Sequence, residues 1–470
     1  MSPRSSAAVD AGPGLDLATC DLLLAALFVD PDPERLGQLH EAARACHDVT
    51  GLADALERHG VLGLVRRNLE LAHVELPLPL QEELARREER LTADARRDRT
   101  TCQLVLRAAR EAQVEVILLK GASLARDVYR DPNWRRAGDL DVLVRPGDLR
   151  ALLEALKKEG LGPEEHALPL WWYRLTHFHA KLGAPTALVR EVELHWHVVA
   201  DARLFSVTPE DLWERSTALE VEGLPARTLD ALDRFVHVTT HLVSHWYGIP
   251  GRPGRDMLRS VLEAPDHPVR LKWALDVRAL LERCWREHTP ADVARRARDW
   301  NAAREFAWGV DLVRNALGVS ARLDAWVDAL LEELEQGAWS GPRSVAPATA
   351  GHRPLPLLDF RWRSLGALPR WMFPPQSYLR RIHAGVSHPL LRALRMGLAR
   401  VLQPLRVGAR LASVVALAPL ALLGRECLRP ERRSVRQRAL APERILDLVV
   451  EGRQPAVRQS TRTGDASGRE

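Results

Sequence analysis

Gly138-Asp139-Leu140-Asp141-Val142-Leu143-Val144 sets two carboxylates two residues apart at the head of an apolar run. Along a strand, side chains at i and i+2 share a face. Asp139 and Asp141 therefore point the same way, beside residues that favour burial. Two neighbouring like charges in that setting call for a cation, and a paired-Asp strand suits Mg2+ that in turn grips phosphates.

Working outward, residues 114–119 are branched and apolar apart from Glu115, which reads as a short buried strand. Lys120-Gly121 ends it, residues 122–129 read as one short helix, and Asp131-Pro132-Asn133 reads as a turn. Pro146-Gly147 closes the Asp-bearing strand. Asp148 stands where an N-cap belongs for a helix over 149–159, and Gly160 where that helix ends. Strand-like stretches return at 176–182 and 188–198.

Elsewhere the apolar spacing is helical, including a long charged helix over 81–113 and segments at 229–246, 271–285 and 290–317. The fold class expected is α+β and mostly helical: a small mixed β-sheet core flanked by N-terminal and C-terminal helical regions. The divisions read as an N-terminal helical region over 1–85, the α/β core over 86–205 and a helical domain over 206–336. A basic Arg/Pro-rich tail with amphipathic helices follows over 337–451, then a polar, disordered end over 452–470.

Length and composition are those of a globular protein of two or three domains: 470 residues, 46% hydrophobic, 27% charged and a formal net charge of +5. The five cysteines are scattered and form no C-x-x-C pair, which argues against zinc ribbons and disulfide frameworks and fits a reducing compartment. The first fourteen residues lack the apolar core of a signal peptide. The longest apolar run, 411–423, is interrupted by Ser413 and Pro419 and is too short to span a bilayer. The expected location is cytoplasmic, with the tail allowing a peripheral position at the inner membrane surface. Between Phe360 and Arg425 there is no Asp or Glu while arginines recur, so the tail suits an anionic membrane surface or an acidic partner protein. Nucleic acid is disfavoured, because basic residues gather in the tail and not around the predicted cleft.

The chemistry follows from the order of the pieces. Gly121 would let backbone approach a phosphate, and Lys120 and Arg135 would neutralise phosphate charge. Asp139 and Asp141 would hold Mg2+, or Mn2+, against a nucleoside triphosphate. Glu193, mid-strand in Val192-Glu193-Leu194-His195-Trp196, is the best third carboxylate: a metal ligand and a candidate base, although it could instead pair with an arginine. His177 or His195 could orient a carboxylate or touch phosphate, with satisfied sheet positions the plainer reading. His237, His241 and His245 form an i, i+4, i+8 stripe that reads as helix packing more than as zinc binding. Asp276 reads as facing the cleft or as a buried anchor between helices.

Leu119-Lys120-Gly121, Arg135, Gly138 to Val144 and Glu193-Leu194-His195-Trp196 together resemble the bacterial nucleotidyltransferase-like family of the DNA polymerase β superfold. The resemblance runs from roughly residue 52 to 317 and takes in Leu271-Lys272-Trp273-Ala274-Leu275-Asp276. It implies two Asp on one strand, a third carboxylate on a neighbouring strand, and transfer of a nucleoside monophosphate from an NTP. The superfold's Gly-Ser turn appears here as Lys120-Gly121 with Ser123 displaced, so nucleotide contacts are assigned to Lys120, Gly121, Ser123 and Arg135. The acceptor is expected to be a hydroxyl of a small molecule or another non-nucleic-acid acceptor. The alternatives are a catalytically inactive scaffold of the same fold, and a glycosyltransferase that grips a nucleotide sugar through Asp-x-Asp.

Overall fold

A computed structural model describes residues 15–338, apart from 47–50, 130, 164–169, 171–177, 184–185, 187, 199–204, 246–253 and 264–268. The chain begins with helices α1 (Leu17–Ala25), α2 (Pro33–Ala45), α3 (Leu52–His59), α4 (Leu62–Leu71) and the long α5 (Leu78–Glu111). Helix α5 runs unbroken past residue 85, where the sequence reading placed a boundary. Next come β1 (Ile117–Leu118), α6 (Lys120–Asp127), β2 (Leu140–Leu143), α7 (Leu149–Lys158), β3 (Gly162–Pro163), β4 (His179–Gly183) and β5 (Val192–His195). After α8 (Pro209–Arg215), strands β6 (Thr217–Val221) and β7 (Leu224–Thr228) form a hairpin. Helices α9 (Ala231–His245), α10 (Arg255–Glu263), α11 (Leu271–Glu287), α12 (Pro290–Asp299), α13 (Ala303–Leu317) and α14 (Ala321–Ala338) complete the described chain.

The architecture is the expected α+β class, mostly helical with one small mixed sheet. Among the described residues the sheet has seven strands in the order β3-β4-β5-β2-β1-β7-β6. Strand β2 runs parallel to β5 and antiparallel to β1, and β1 runs parallel to β7. Period-two alternation divides its side chains between two cores. Leu118, Leu140, Val142, Val192 and Leu194 pack against α5 and α7. Ile117, Leu119 and Leu143 join the larger core, which unites the N-terminal helices with α9 to α14. The acidic residues of β2 and β5 lie on this second face.

Three local expectations are corrected. The β6–β7 hairpin interrupts the region over 206–336, which reads from the sequence as a helical domain. Its outer strand is mostly exposed, so it lacks the buried alternation that marks a strand, while Glu222 and Gly223 both take positive φ (53° and 75°) to close the turn. The expected helix over 290–317 is two helices, parted at Asn301 with φ of 54°. Asp148 precedes α7 as expected, but its side chain makes no capping hydrogen bond. The basic tail, the apolar run at 411–423 and the polar end lie outside the described residues. Among the described residues no helix is long and apolar enough to cross a membrane.

Candidate active site

Strand register builds the site. Asp141 on β2 is paired with Glu193 on β5, and Glu193 with Lys181 on β4. The next row on that face is Leu143, His195 and His179. Opposed residues on adjacent strands share a face, so Asp141, Glu193, Lys181, His195 and His179 all project toward the helical side. Leu119 donates its N–H to the Asp141 carbonyl at 3.0 Å, which fixes the end of β1 beside β2 and delivers Lys120 to the same row.

Lys120 opens α6 at φ 39°, a left-handed conformation uncommon outside glycine. Its Nζ donates to Asp141 Oδ1 at 2.7 Å. His195 Nε2 lies 2.9 Å from the same oxygen and 3.5 Å from Glu193 Oε2. Lys181 Nζ lies 2.9 Å from Glu193 Oε1, and His179 Nε2 lies 3.9 Å from Oε2. Asp141, Glu193 and His195 are buried, and each offers one donor atom within 4.8 Å of the others.

The electrostatics follow this geometry. Burial disfavours the Asp141 carboxylate, but Lys120 and the His195 hydrogen bond outweigh it and hold the group well below the usual range. Burial likewise opposes ionisation of Glu193, and its contact with His195 turns the balance downward. Asp139 goes the other way: burial, then the Asp141 and Glu193 charges, push its carboxyl up. Burial also opposes the charge on His195, while Asp141 and Glu193 hold its imidazolium above the usual histidine range. Two carboxylates, an imidazole and a half-buried third carboxylate in one place form a donor set that fits a divalent cation.

Of the residues read from the sequence, Asp141, Glu193 and Lys120 converge, and Asp139 sits beside them. Arg135 does not: its guanidinium grips Asp276 on α11, with Nη2 to Oδ2 at 2.7 Å and Nε to Oδ1 at 3.0 Å, and Tyr129 donates to the same carboxylate at 2.9 Å. All three are buried, so Arg135 is a strut and Asp276 is the interhelical anchor. Gly121 is occupied on its open side by that strut, since a Cβ there would lie 2.3 Å from Arg135 Nη1. Ser123 is buried and turns its hydroxyl back to the Lys120 carbonyl at 3.2 Å. Arg135 and Ser123 thus have protein partners, Gly121 and Arg135 also line the cavity beside Asp139, and Lys120 hydrogen-bonds Asp141.

The histidine stripe of α9 packs as expected. His237 is buried against Trp300, while His241 and His245 bring their Nε2 atoms to 3.2 Å and pack on Trp273. His177 lies outside the described residues. Lys181 was not singled out in the sequence; its signal was being two residues after His179 on a strand that pairs with the Glu193 strand. A cavity of about 290 Å3 adjoins the cluster at Asp139, lined among others by Asp98, Arg99, Arg126, Arg190 and Glu222. It reaches Asp139 but not Asp141, Glu193 or His195.

With this arrangement in view, a comparison with protein families is decisive. Residues 46–318, more than half of the chain, match a family described as uncharacterised nucleotidyltransferase. The chain belongs to that family. No curated protein and no solved structure matches it. The matched stretch takes in α3 to α13, so it includes every residue of the acidic cluster as well as the Arg135–Asp276 strut.

Proposed function

We propose that the protein transfers a nucleoside monophosphate from an NTP to a hydroxyl of a small molecule or other non-nucleic-acid acceptor, with a divalent cation, Mg2+ or Mn2+, held by Asp139, Asp141 and Glu193. The observation that carries this reading is the register Asp141↔Glu193, which sets two buried carboxylates side by side one strand apart, with Asp139 two residues upstream. Lys120 and Lys181 each pair with one of these acids, and a divalent cation would bridge the two. When bound, the cation supplies positive charge to the triphosphate and acidifies the acceptor hydroxyl.

The protein's own groups supply the rest. Lys120, which pairs with Asp141, would pass to the triphosphate and offset charge on the departing pyrophosphate. Glu193, held low by His195, stays ionised at neutral pH and is available to take the acceptor's proton. Lys181 and His195 orient the carboxylates through their contacts with Glu193 and Asp141. The cavity beside Asp139 offers room for a small acceptor. The bond formed is from the acceptor oxygen to the α-phosphorus, and the bond broken frees pyrophosphate.

The test is incubation of the full chain with each of the four NTPs labelled at the α-phosphate, Mg2+ or Mn2+, and a cell extract. Label entering a fraction other than free nucleotide, and lost with Asp141→Asn, supports the reading. No label with any nucleotide or metal would leave the non-catalytic scaffold as the better account.

A further inference from the structure

The acidic cluster is not made of oxygen alone. His195 Nε2 stands 2.9 Å from Asp141 Oδ1 and 3.5 Å from Glu193 Oε2. Two donors bound at about 2.1 Å and at right angles around one ion are about 3.0 Å apart. The imidazole nitrogen therefore stands near that spacing from one oxygen of each carboxylate, and the three donor atoms lie within 4.8 Å of one another. The sequence produces this spacing by rule: Glu193 and His195 are two apart on β5 and share a face, and Asp141 is the register partner of Glu193. The imidazole is 2% exposed and lies against the rings of Phe178 and His179, at centroid distances of 5.7 Å and 5.0 Å. Its aim is thus set by packing as well as by charge.

We infer that His195 is a direct ligand of the ion that Asp141 and Glu193 hold, and that the site consequently takes a first-row transition ion in preference to Mg2+. Mg2+ is small and hard, seeks oxygen ligands and retains its water, whereas an imidazole nitrogen favours softer first-row ions. This inference rests on the reading above for the presence of an ion but not for transfer. His195 is thus added to the ligands proposed above, while Asp139, which lines the cavity, lies outside the three-atom cluster.

The experiment uses the full chain with Mn2+ as the probe and reads pulsed EPR. Nitrogen modulation from an imidazole is expected on the bound Mn2+. It should vanish in His195→Gln and persist in His179→Asn and His241→Asn, whose imidazoles stand near Glu193 and near His245. Wild-type protein made with 15N-labelled histidine reads the contact without a substitution, because the 14N pattern is replaced by that of 15N. Competition titration should show Mn2+ preferred over Mg2+, with that preference falling ten- to a hundredfold in His195→Gln. Bound Mn2+ with only oxygen coordination, modulation lost with His179 or His241 instead, or an unchanged metal preference in His195→Gln each overturns the inference. Nitrogen-ligated Mn2+ without labelled product would retain this inference and remove the transferase reading; oxygen-only Mn2+ with labelled product would do the reverse.

Discussion

Asp141 and Glu193 are register partners on adjacent parallel strands, and one imidazole, His195, reaches both. The acidic pair is therefore a property of the sheet: a one-residue slip of β5 would present Leu194 or Val192 in place of Glu193. Glu193→Gln keeps the shape and removes the charge. The account expects transfer to fall by about a hundredfold or more, with Lys181 left facing a neutral amide. Steady-state rates with labelled NTP check this, and a rate within a few-fold of wild type would show that Glu193 only balances Lys181.

Lys120 hydrogen-bonds Asp141 within the cluster. Lys120→Ala should weaken NTP binding and transfer by about tenfold to a hundredfold, because an ammonium that offsets phosphate charge is lost. It should also strengthen binding of the divalent ion in the absence of nucleotide, since a competing cation leaves Asp141. Calorimetric titration with metal alone separates the two effects; weaker metal binding would place Lys120 in a supporting role.

Arg135 and Asp276 make a buried ion pair that ties the strand region to α11. Arg135→Ala leaves the buried Asp276 carboxylate with Tyr129 as its hydrogen-bond donor but without its counter-charge, and should cost about 3–5 kcal/mol in urea unfolding. The triple change Arg135→Met, Asp276→Leu and Tyr129→Phe should recover much of that loss, because it removes the charge pair together with the hydroxyl that Asp276 accepts from. Gly121→Ala tests the same strut from the other side, since its Cβ would meet a guanidinium pinned in place. A cost of about 1–3 kcal/mol is expected in the wild type and much less in the Arg135→Ala background. Additive costs would show that the two positions do not touch.

His237 gives a pH prediction. Burial, then the Lys120 and His195 charges, push its imidazole down to about 3. The unfolded chain therefore binds a proton that the folded chain refuses between the unfolded value near 6.5 and about 3. The stability from this group is complete above pH 6.5 and is lost as pH falls, at up to about 1.4 kcal/mol per unit. His237→Gln should flatten this part of the stability curve, measured by urea unfolding at pH 7, 6 and 5. An equal slope in both proteins would mean that other groups govern acid unfolding.

How far the sequence could be read follows from what is local. Asp139, Asp141 and Glu193 were legible because a period-two strand shows its two faces in its own residues, and α5 was legible from its length. The Asp141–Glu193 register was not, since strand pairing is set by distant turns and packing. The pairing of Arg135 with Asp276 was not legible, because Asp276 is far along the chain and the burial of the pair is a tertiary fact. The β6–β7 hairpin escaped notice because its outer strand is solvated and polar, leaving no apolar alternation to detect. His195 lay in plain view two residues after Glu193, but its weight came only when β5 was seen beside β2.

The central claim is that the carboxylates gathered by β2 and β5 drive nucleotidyl transfer. The most direct measurement compares wild type, Asp139→Asn and Asp141→Asn, each verified as folded, for label moved from the α-phosphate of an NTP to acceptor in the presence of Mg2+ or Mn2+. The account predicts labelled product from wild type and a loss of at least about a thousandfold in both variants. Equal product from wild type and the Asp141→Asn protein would contradict it.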